Sequence, residues 1–131
     1  MIVLLRCLFV VVLVSMLAAT VWAGLDTPLS QIPREVLTHP WFVATLLDAY
    51  WSFVAVYLVI AWKETAVAAR ILWFVAVIAL GNIAIALYAL RELFAIPRDT
   101  KPGVLLTTRR SGGIALPAML AIAGLAAYLL A

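Results

Sequence analysis

Residues 41–62 read WFVATLLDAYWSFVAVYLVIAW, a long and almost uncharged sequence that indicates the structural class of the chain. It carries one charged side chain, Asp48, and it has the length of about 20 apolar residues that a helix needs to cross a bilayer. Thr38 is a possible N-cap, and Pro40 lies where proline is tolerated in a first helical turn. The stretch is therefore predicted to be a membrane-spanning helix, which ends before Lys63.

Three other apolar stretches have a similar length. They cover residues 2–23, 68–90 and 114–131. Most of the proline and charged residues lie between the stretches, as expected for loops, in segments 24–40, 63–67 and 91–113. The chain is therefore predicted to be one all-α domain, an integral membrane bundle of about four transmembrane helices.

The composition supports this class. Hydrophobic residues make up 68% of the chain and charged residues 11%, whereas a small soluble domain must cover itself with polar side chains. The formal charge of +3 comes from basic residues that are dispersed over loops and chain ends, which argues against a nucleic-acid-binding patch. The single cysteine, Cys7, excludes an internal disulfide and a CxxC motif. We expect a multi-pass protein of the bacterial plasma membrane whose first partner is the lipid bilayer.

The first apolar stretch has a second interpretation, as a signal peptide. Val21-Trp22-Ala23 loosely resembles a cleavage site with small residues. However, the apolar run is long for a signal, and Trp22 is bulky. An uncleaved membrane span is favoured.

The orientation in the membrane follows from the distribution of Lys and Arg. With four spans, six basic residues lie on the face of the first and third loops (Arg34, Arg91, Arg98, Lys101, Arg109 and Arg110), and three lie on the other face (Arg6, Lys63 and Arg70). The positive-inside rule then predicts cytoplasmic first and third loops, with both termini outside. Arg6 and the α-amino group ahead of the first helix favour the opposite orientation.

Polar residues of three spans are predicted to form one layer inside the membrane. At 1.5 Å per residue, Asp48 lies about 10 Å into the second span and Asn82 about 12 Å before the end of the third. Ser15 reaches the same level on the first span, and Ser52 lies one turn after Asp48. Because a carboxylate in hydrocarbon is disfavoured by about 2.5–3.5 kcal/mol, Asp48 is expected to face the bundle or a wet cavity.

Two interpretations of this layer stay open. In the first, Asp48 and Asn82 form an interhelical hydrogen bond, with Ser15 or Ser52 assisting, and the bond fixes the packing of the helices. In the second, Asp48 is a proton or cation site, or a polar anchor for a head group or small ligand.

The third loop is predicted to lie among lipid headgroups. Its basic residues would contact anionic lipid, each contributing about 1 kcal/mol near the surface. A solvated protein partner is the alternative. The residues concerned are Arg98, Lys101, Arg109 and Arg110.

No catalytic, metal-binding or cofactor-binding motif is visible. His39 is the only histidine, which argues against paired-histidine haem ligation and against His-rich zinc sites. The serines lack the surroundings of a nucleophile elbow, and the glycine pair Gly112-Gly113 is not a phosphate-binding loop. The sequence therefore predicts no enzyme and no cofactor.

Several short motifs resemble a known family. They are the stretch from His39-Pro-Trp to Asp48-Ala-Tyr50, Trp62-Lys-Glu64, Leu72-Trp73-Phe74, and Gly81-Asn82-Ile83-Ala84 with Tyr88. Over roughly the first 90 residues, the sequence resembles an uncharacterised family of small multi-spanning membrane proteins of bacteria and plants. The resemblance implies the membrane class and no activity, and the fourth span matches it less clearly.

Two functions remain as hypotheses. The first is a non-catalytic accessory or structural subunit that packs against other helices in a larger membrane complex, since faces rich in Ala and Gly suit close helix contact. The second is a small carrier or ligand- or ion-binding protein that uses the polar layer around Asp48 and Asn82.

Overall fold

The computed structural model describes residues 1–110 and 112–130, so Ser111 and the last residue of the predicted fourth span, Ala131, lie outside the described residues. The described part consists of helices and irregular segments without a β-strand, which confirms the predicted all-α class. A short 3-10 turn covers Leu29–Gln31. The helices are α1 (Ile2–Asp26), α2 (Arg34–Leu37), α3 (Pro40–Lys63), α4 (Val67–Leu80), α5 (Asn82–Phe94), α6 (Gly103–Thr107) and α7 (Ala115–Leu130).

Two of these helices, α1 and α3, are long and apolar enough to cross a membrane. The start of α3 is fixed locally, because the His39 side chain accepts a hydrogen bond from the Trp41 backbone N–H at 3.3 Å and Pro40 occupies the first turn. The helices α4 and α7 are apolar but shorter.

The sequence predicts one helix over residues 68–90, and the structure has two, α4 and α5, which fold back on each other. Along a continuous helix, residues 73 and 88 would be about 22 Å apart. Instead, the rings of Trp73 and Tyr88 stack edge to face with their centroids 4.9 Å apart. The Arg91 guanidinium lies 5.4 Å from the centre of the Trp73 ring. The prediction of one helix over residues 68–90 is therefore wrong, and α4 and α5 form a helical hairpin.

The reversal occurs at Gly81. Its backbone has φ +52° and ψ −125°, a conformation that residues with a side chain rarely adopt. The Phe53 ring of α3 also lies directly against it, since a Cβ atom on Gly81 would be 2.7 Å from the Phe53 Cζ atom. Hydropathy could not reveal this turn, because both arms of the hairpin are apolar and their pattern continues through the glycine.

The hairpin is the centre of the packing. The α5 arm packs against α1, and the α4 arm packs against α7 and α3. Small residues permit the α4–α7 contact, because a Cβ atom on Gly124 would be 2.7 Å from that of Ala79. The buried core consists of Ile60, Ala69, Trp73, Ala76, Val77, Ala84 and Tyr88.

The long helices extend beyond the hairpin. Phe53 of α3 is level with the turn at Gly81, so the first half of α3 continues past it. The second half of α1 is likewise almost entirely exposed. We call these two segments, residues 14–26 and 40–52, the far halves of α1 and α3.

The fold-back gathers the basic residues at one end of the molecule, here called the basic end. This end contains the start of α1, the end of α3, both ends of the hairpin, α6 and the start of α7. Eight of the nine Lys and Arg residues lie here (Arg6, Lys63, Arg70, Arg91, Arg98, Lys101, Arg109 and Arg110), together with three of the six acids (Glu64, Glu92 and Asp99). The division of six basic residues on one face and three on the other, which four spans would give, does not hold, because Arg91, Arg109 and Arg110 lie at the same end of the molecule as Lys63.

Replacement of Gly81 by alanine should destabilise the fold. The strained backbone alone costs about 1–3 kcal/mol for a residue with a Cβ atom, and the contact with Phe53 adds to it. The change in unfolding free energy can be measured by SDS titration in mixed micelles.

The matched control is Gly24→Ala, since Gly24 lies in α1 with no atom near its would-be Cβ. That substitution should be neutral or stabilising by up to about 1 kcal/mol. Equal effects of the two substitutions would contradict the reversal at Gly81.

Candidate functional site

Five charged side chains meet at the basic end. We call them the ion cluster: Lys63, Glu64, Arg91, Glu92 and Arg110. Lys63, Glu64 and Glu92 are only 4%, 0% and 6% exposed. Burial this complete is tolerated for charged groups when they are paired and hydrogen-bonded.

Glu92 is the acceptor at the centre of the cluster. Its Oε2 atom lies 3.0 Å from the Lys63 ammonium nitrogen. Its Oε1 atom lies 2.7 Å from one guanidinium nitrogen of Arg110 and 3.2 Å from one of Arg91. Three cations from α3, α5 and the segment before α7 therefore share one carboxylate.

Glu64 is the second acceptor and joins the two ends of the hairpin region. Its Oε1 atom forms an ion pair with Arg91, and its Oε2 atom accepts from the Gly112 backbone N–H at 3.3 Å. Its backbone oxygen accepts from Arg70 Nε at 2.8 Å. Glu64 thus ties the end of α3 to α4, to α5 and to the segment before α7.

Lys63 fastens the segment that contains α6. Its ammonium donates to the backbone oxygens of Leu105 and of Thr108, the latter at 2.8 Å, and it pairs with Glu92. An ammonium group has three donors, and each of the three has an acceptor here. The Arg110 backbone N–H donates in turn to the Lys63 oxygen at 3.1 Å.

The pKa of two cluster residues shifts in the directions that ion pairing demands. Burial by itself raises the pKa of the Glu92 carboxyl, but the hydrogen bonds from Arg110 and Lys63 outweigh burial and lower it. Burial likewise disfavours the Arg91 cation, and Glu64 and Glu92 outweigh that effect, so the pKa of Arg91 is raised. Both residues are therefore held in their charged forms.

Aromatic rings line the inner side of the cluster. The Arg91 guanidinium lies 4.7 Å from the centre of the Tyr88 ring, besides its contact with Trp73. Such cation–π contacts contribute about 0.5–2 kcal/mol each. The carboxylate oxygens of Glu64 and Glu92 and the ammonium of Lys63 all have partners, so the cluster offers no free base or nucleophile. Its role is to hold the helices together.

An apolar groove adjoins the cluster. Its volume is about 210 Å³, and it lies between α1 and α3 with α5 as its floor. Lys63 and Glu92 form its polar end. The other lining residues are Leu5, Phe9, Val56, Val59, Ile60, Ile85, Tyr88, Ala89, Leu93, Leu105 and Leu106.

The predicted polar layer is not assembled. Ser15, Asp48, Ser52 and Asn82 are all exposed. The Ser15 and Ser52 hydroxyls donate to backbone oxygens of their own helices, those of Val12 and Asp48, at 3.0 Å each.

The Asp48 carboxylate and the Asn82 amide form no hydrogen bond with any residue that the structure describes. The prediction that Asp48 and Asn82 lie at equal depth in the membrane was based on one continuous helix over residues 68–90. With the hairpin, Asn82 lies at the turn, level with Phe53, which is about 7.5 Å further along α3 than Asp48.

The four basic residues predicted to contact headgroups have different surroundings. Arg98 and Lys101 are exposed between α5 and α6. Arg109 donates from Nε to the Trp62 backbone oxygen at 2.9 Å and lies over the Trp62 ring. Arg110 belongs to the ion cluster, which sequence reasoning missed.

The cluster was missed because Lys63 and Glu64 were assigned to one face of the membrane and Arg91, Glu92 and Arg110 to the opposite face. A signal was present, since a Lys-Glu pair and an Arg-Glu pair border one apolar run with Gly81 at its middle. Only a hairpin brings two such pairs together. Among residues 1–110 and 112–130, no group of three or more His, Cys, Asp or Glu side chains could hold a metal ion.

Glu64→Gln should destabilise the fold by about 3–5 kcal/mol, because it removes one buried carboxylate and leaves Glu92 as the single acid for Lys63, Arg91 and Arg110. Unfolding free energies from SDS titration would measure the loss. Glu35→Gln is the matched control, since Glu35 is exposed, and it should change stability by less than about 0.5 kcal/mol.

The double variant Glu64→Leu with Arg91→Met should recover part of the lost stability, because it leaves no unpaired charge. An additive loss in the double variant would contradict the coupling of the two residues.

Comparison with known proteins gives a family and no activity. Neither a curated protein nor a solved structure matches the chain. The profile of a family described as "Protein of unknown function (DUF1475)" matches residues 1–111, which include the hairpin, the groove and all of the ion cluster. This confirms the resemblance to an uncharacterised family and leaves α7 outside the matched region. The chain belongs to the DUF1475 family of proteins of unknown function.

Proposed function

We propose that the protein is a multi-pass integral membrane protein that acts as a non-catalytic accessory or structural subunit, packing against other membrane helices in a larger complex. The observation that carries this proposal is the exposure of Asp48 in the far half of α3. The long apolar helices α1 and α3 support the membrane location.

The energetic argument starts from the cost of a bare carboxylate. An acid facing lipid in the middle of a spanning helix is disfavoured by about 2.5–3.5 kcal/mol, and such residues normally face other helices or water. The hairpin does not reach Asp48, and α3 alone gives its carboxylate no donor. A helix of another subunit would remove this cost by supplying a hydrogen-bond donor.

The face around Asp48 suits such a contact. Thr45 and Ser52 lie one turn to either side and are exposed, and their hydroxyls already donate to the backbone oxygens of Trp41 and Asp48. Asp48 is therefore the group on this face that still needs a partner. We expect the partner helix to present Asn, Gln, Ser, Lys or Arg at this level.

The alternative function is a small carrier or ligand- or ion-binding protein that uses Asp48 and Asn82. The exposed, unpaired Asp48 carboxylate could titrate or coordinate a cation. Asn82 stands at the hairpin turn and does not complete a site with it within the described chain. The accessory role therefore has the stronger support.

Substitutions of Asp48 should distinguish these functions. Asp48→Asn keeps a hydrogen-bonding group and should leave the larger complex nearly intact, whereas Asp48→Arg places a cation against the partner's donor. We expect Asp48→Arg to reduce co-purified partner subunits at least tenfold, which corresponds to about 1.4 kcal/mol. The measurement is purification in mild detergent at native expression, followed by mass spectrometry.

The control is Glu35→Arg, which makes the same charge change at an exposed position in α2 and should leave the complex unchanged. A lone chain without partner subunits would overturn the proposal. Loss of ion or ligand binding in Asp48→Asn, with the complex intact, would favour the carrier.

The fold also implies an orientation, which reverses the one expected from four spans. Since eight of the nine basic residues lie at the basic end, the positive-inside rule places that end and the N-terminus in the cytoplasm. The loop between α1 and α3, with Arg34 as its one basic residue, then lies outside.

Single cysteines introduced into a Cys7→Ser background can test the orientation. Ser30→Cys in the outer loop should react with an impermeant maleimide in intact cells. Thr107→Cys in α6 should react only after permeabilisation, because that residue is exposed at the basic end. The reverse labelling pattern would place both the basic end and the N-terminus outside.

A further inference from the structure

We propose that the apolar groove holds one acyl chain of an anionic phospholipid, whose phosphate lies outside the groove among the basic residues between α5 and α6. This inference rests on the membrane location proposed above and concerns a different surface from the Asp48 face.

The groove has the position that a membrane lipid requires. Leu5 and Phe9 of α1 form one wall, and Val56 and Val59 of α3 form the other. The two valines are partly exposed, so the groove opens sideways between the two long helices. In a bilayer, this opening faces the acyl chains of the surrounding leaflet.

The size and lining of the groove suit a hydrocarbon chain. Its volume of about 210 Å³ is below the roughly 300–1,000 Å³ of sites that enclose a drug-sized ligand. Its walls are aliphatic and aromatic side chains over most of their length. A chain that enters from the side and leaves its polar part outside fits both properties.

The polar end of the groove does not bind a head group itself. Each donor of the Lys63 ammonium already has an acceptor, namely Glu92 or the backbone oxygens of Leu105 and Thr108. Both Glu92 oxygens also face cations of the ion cluster. A fatty-acid carboxylate inside the groove would therefore find no free cation, and its only free donor would be the Tyr88 hydroxyl, which favours a phospholipid whose head stays at the surface.

The charge beside the groove selects an anionic head. Arg98, Asp99 and Lys101 are exposed in the segment that leads to α6, which gives this segment a net charge of +1, and Leu105 and Leu106 of α6 line the groove. Each basic residue near a membrane surface favours anionic over zwitterionic lipid by about fivefold. The chain and the phosphate of one lipid can therefore be bound by adjacent parts of the molecule.

Native mass spectrometry of the full chain in mild detergent tests this site. Phosphatidylglycerol should give a bound complex that survives activation, and phosphatidylcholine with the same chains should give at least fivefold less. Ala89→Phe fills the floor of the groove and should reduce the phosphatidylglycerol complex at least tenfold. Ala123→Phe, at an exposed position of α7, is the matched control and should leave it unchanged.

A second groove variant and a charge reversal test the site at positions where substitution is less disruptive to the fold. Val56→Trp, at a partly exposed wall position, should reduce binding as Ala89→Phe does. Lys101→Glu should abolish the preference for phosphatidylglycerol, and Arg34→Glu at the opposite end should not. Unchanged helical circular dichroism would show that the variants remain folded.

Three outcomes would overturn the lipid site. They are equal binding of the two phospholipids, unchanged binding in both groove variants, or displacement of phosphatidylglycerol by an equimolar free fatty acid. Each leaves the accessory role intact, because that role depends on partner subunits and on Asp48. A chain that fractionates with soluble proteins would instead contradict the membrane location on which both proposals rest.

Discussion

The ion pair between Glu64 and Arg91 holds the end of the hairpin against the end of α3. It joins residues from the end of α3 and the end of α5, and these ends meet only because the chain reverses at Gly81. Once they meet, Glu92 reaches Lys63 and Arg110, and the segment before α7 is tied to α3. A buried pair of this kind adds little net stability over an apolar contact, but it penalises every arrangement in which one charge loses its partner. Its main effect is to make one arrangement of the helices far better than the others.

The sequence predicts the helices well and their directions poorly. Apolar runs and the proline-rich segments between them indicate helices, and the all-α class follows from them. The relative directions of the helices do not follow from these runs, because the hydropathy pattern is the same for one straight helix and for two helices that fold back on each other. The difference lies in the backbone of one residue, Gly81, and in the approach of Phe53 to it. A glycine in an apolar run equally suits a close helix contact, so its presence alone does not indicate a turn.

The same limit applies to the candidate sites: the sequence indicates features within one helix, but not which helices come into contact. Depth counted along each helix suggested that Asp48 and Asn82 meet, and this reasoning fails because it assumed one continuous helix over residues 68–90. The same assumption hid the ion cluster, because one continuous helix over residues 68–90 would keep Lys63 and Glu64 far from Arg91, Glu92 and Arg110. Its residues are adjacent in space only after the fold-back, and so no motif of fixed spacing could reveal them.

The two ends of the molecule differ in whether their charged groups find partners within the chain. At the basic end, the buried charges are paired and the loop segments are fastened by hydrogen bonds to α3. Beyond the hairpin, the far halves of α1 and α3 present mainly apolar side chains to the surroundings, together with the Asp48 carboxylate, which accepts no hydrogen bond from any residue that the structure describes. Lys63 and Glu92 link the two environments, since they belong to the ion cluster and also form the polar end of the groove. A hydrocarbon chain in the groove would keep water from this pair and so strengthen it, because Coulomb attraction increases as the local dielectric falls. Lipid binding and the closure of the hairpin would therefore stabilise each other, while the Asp48 face remains free to bind a partner helix.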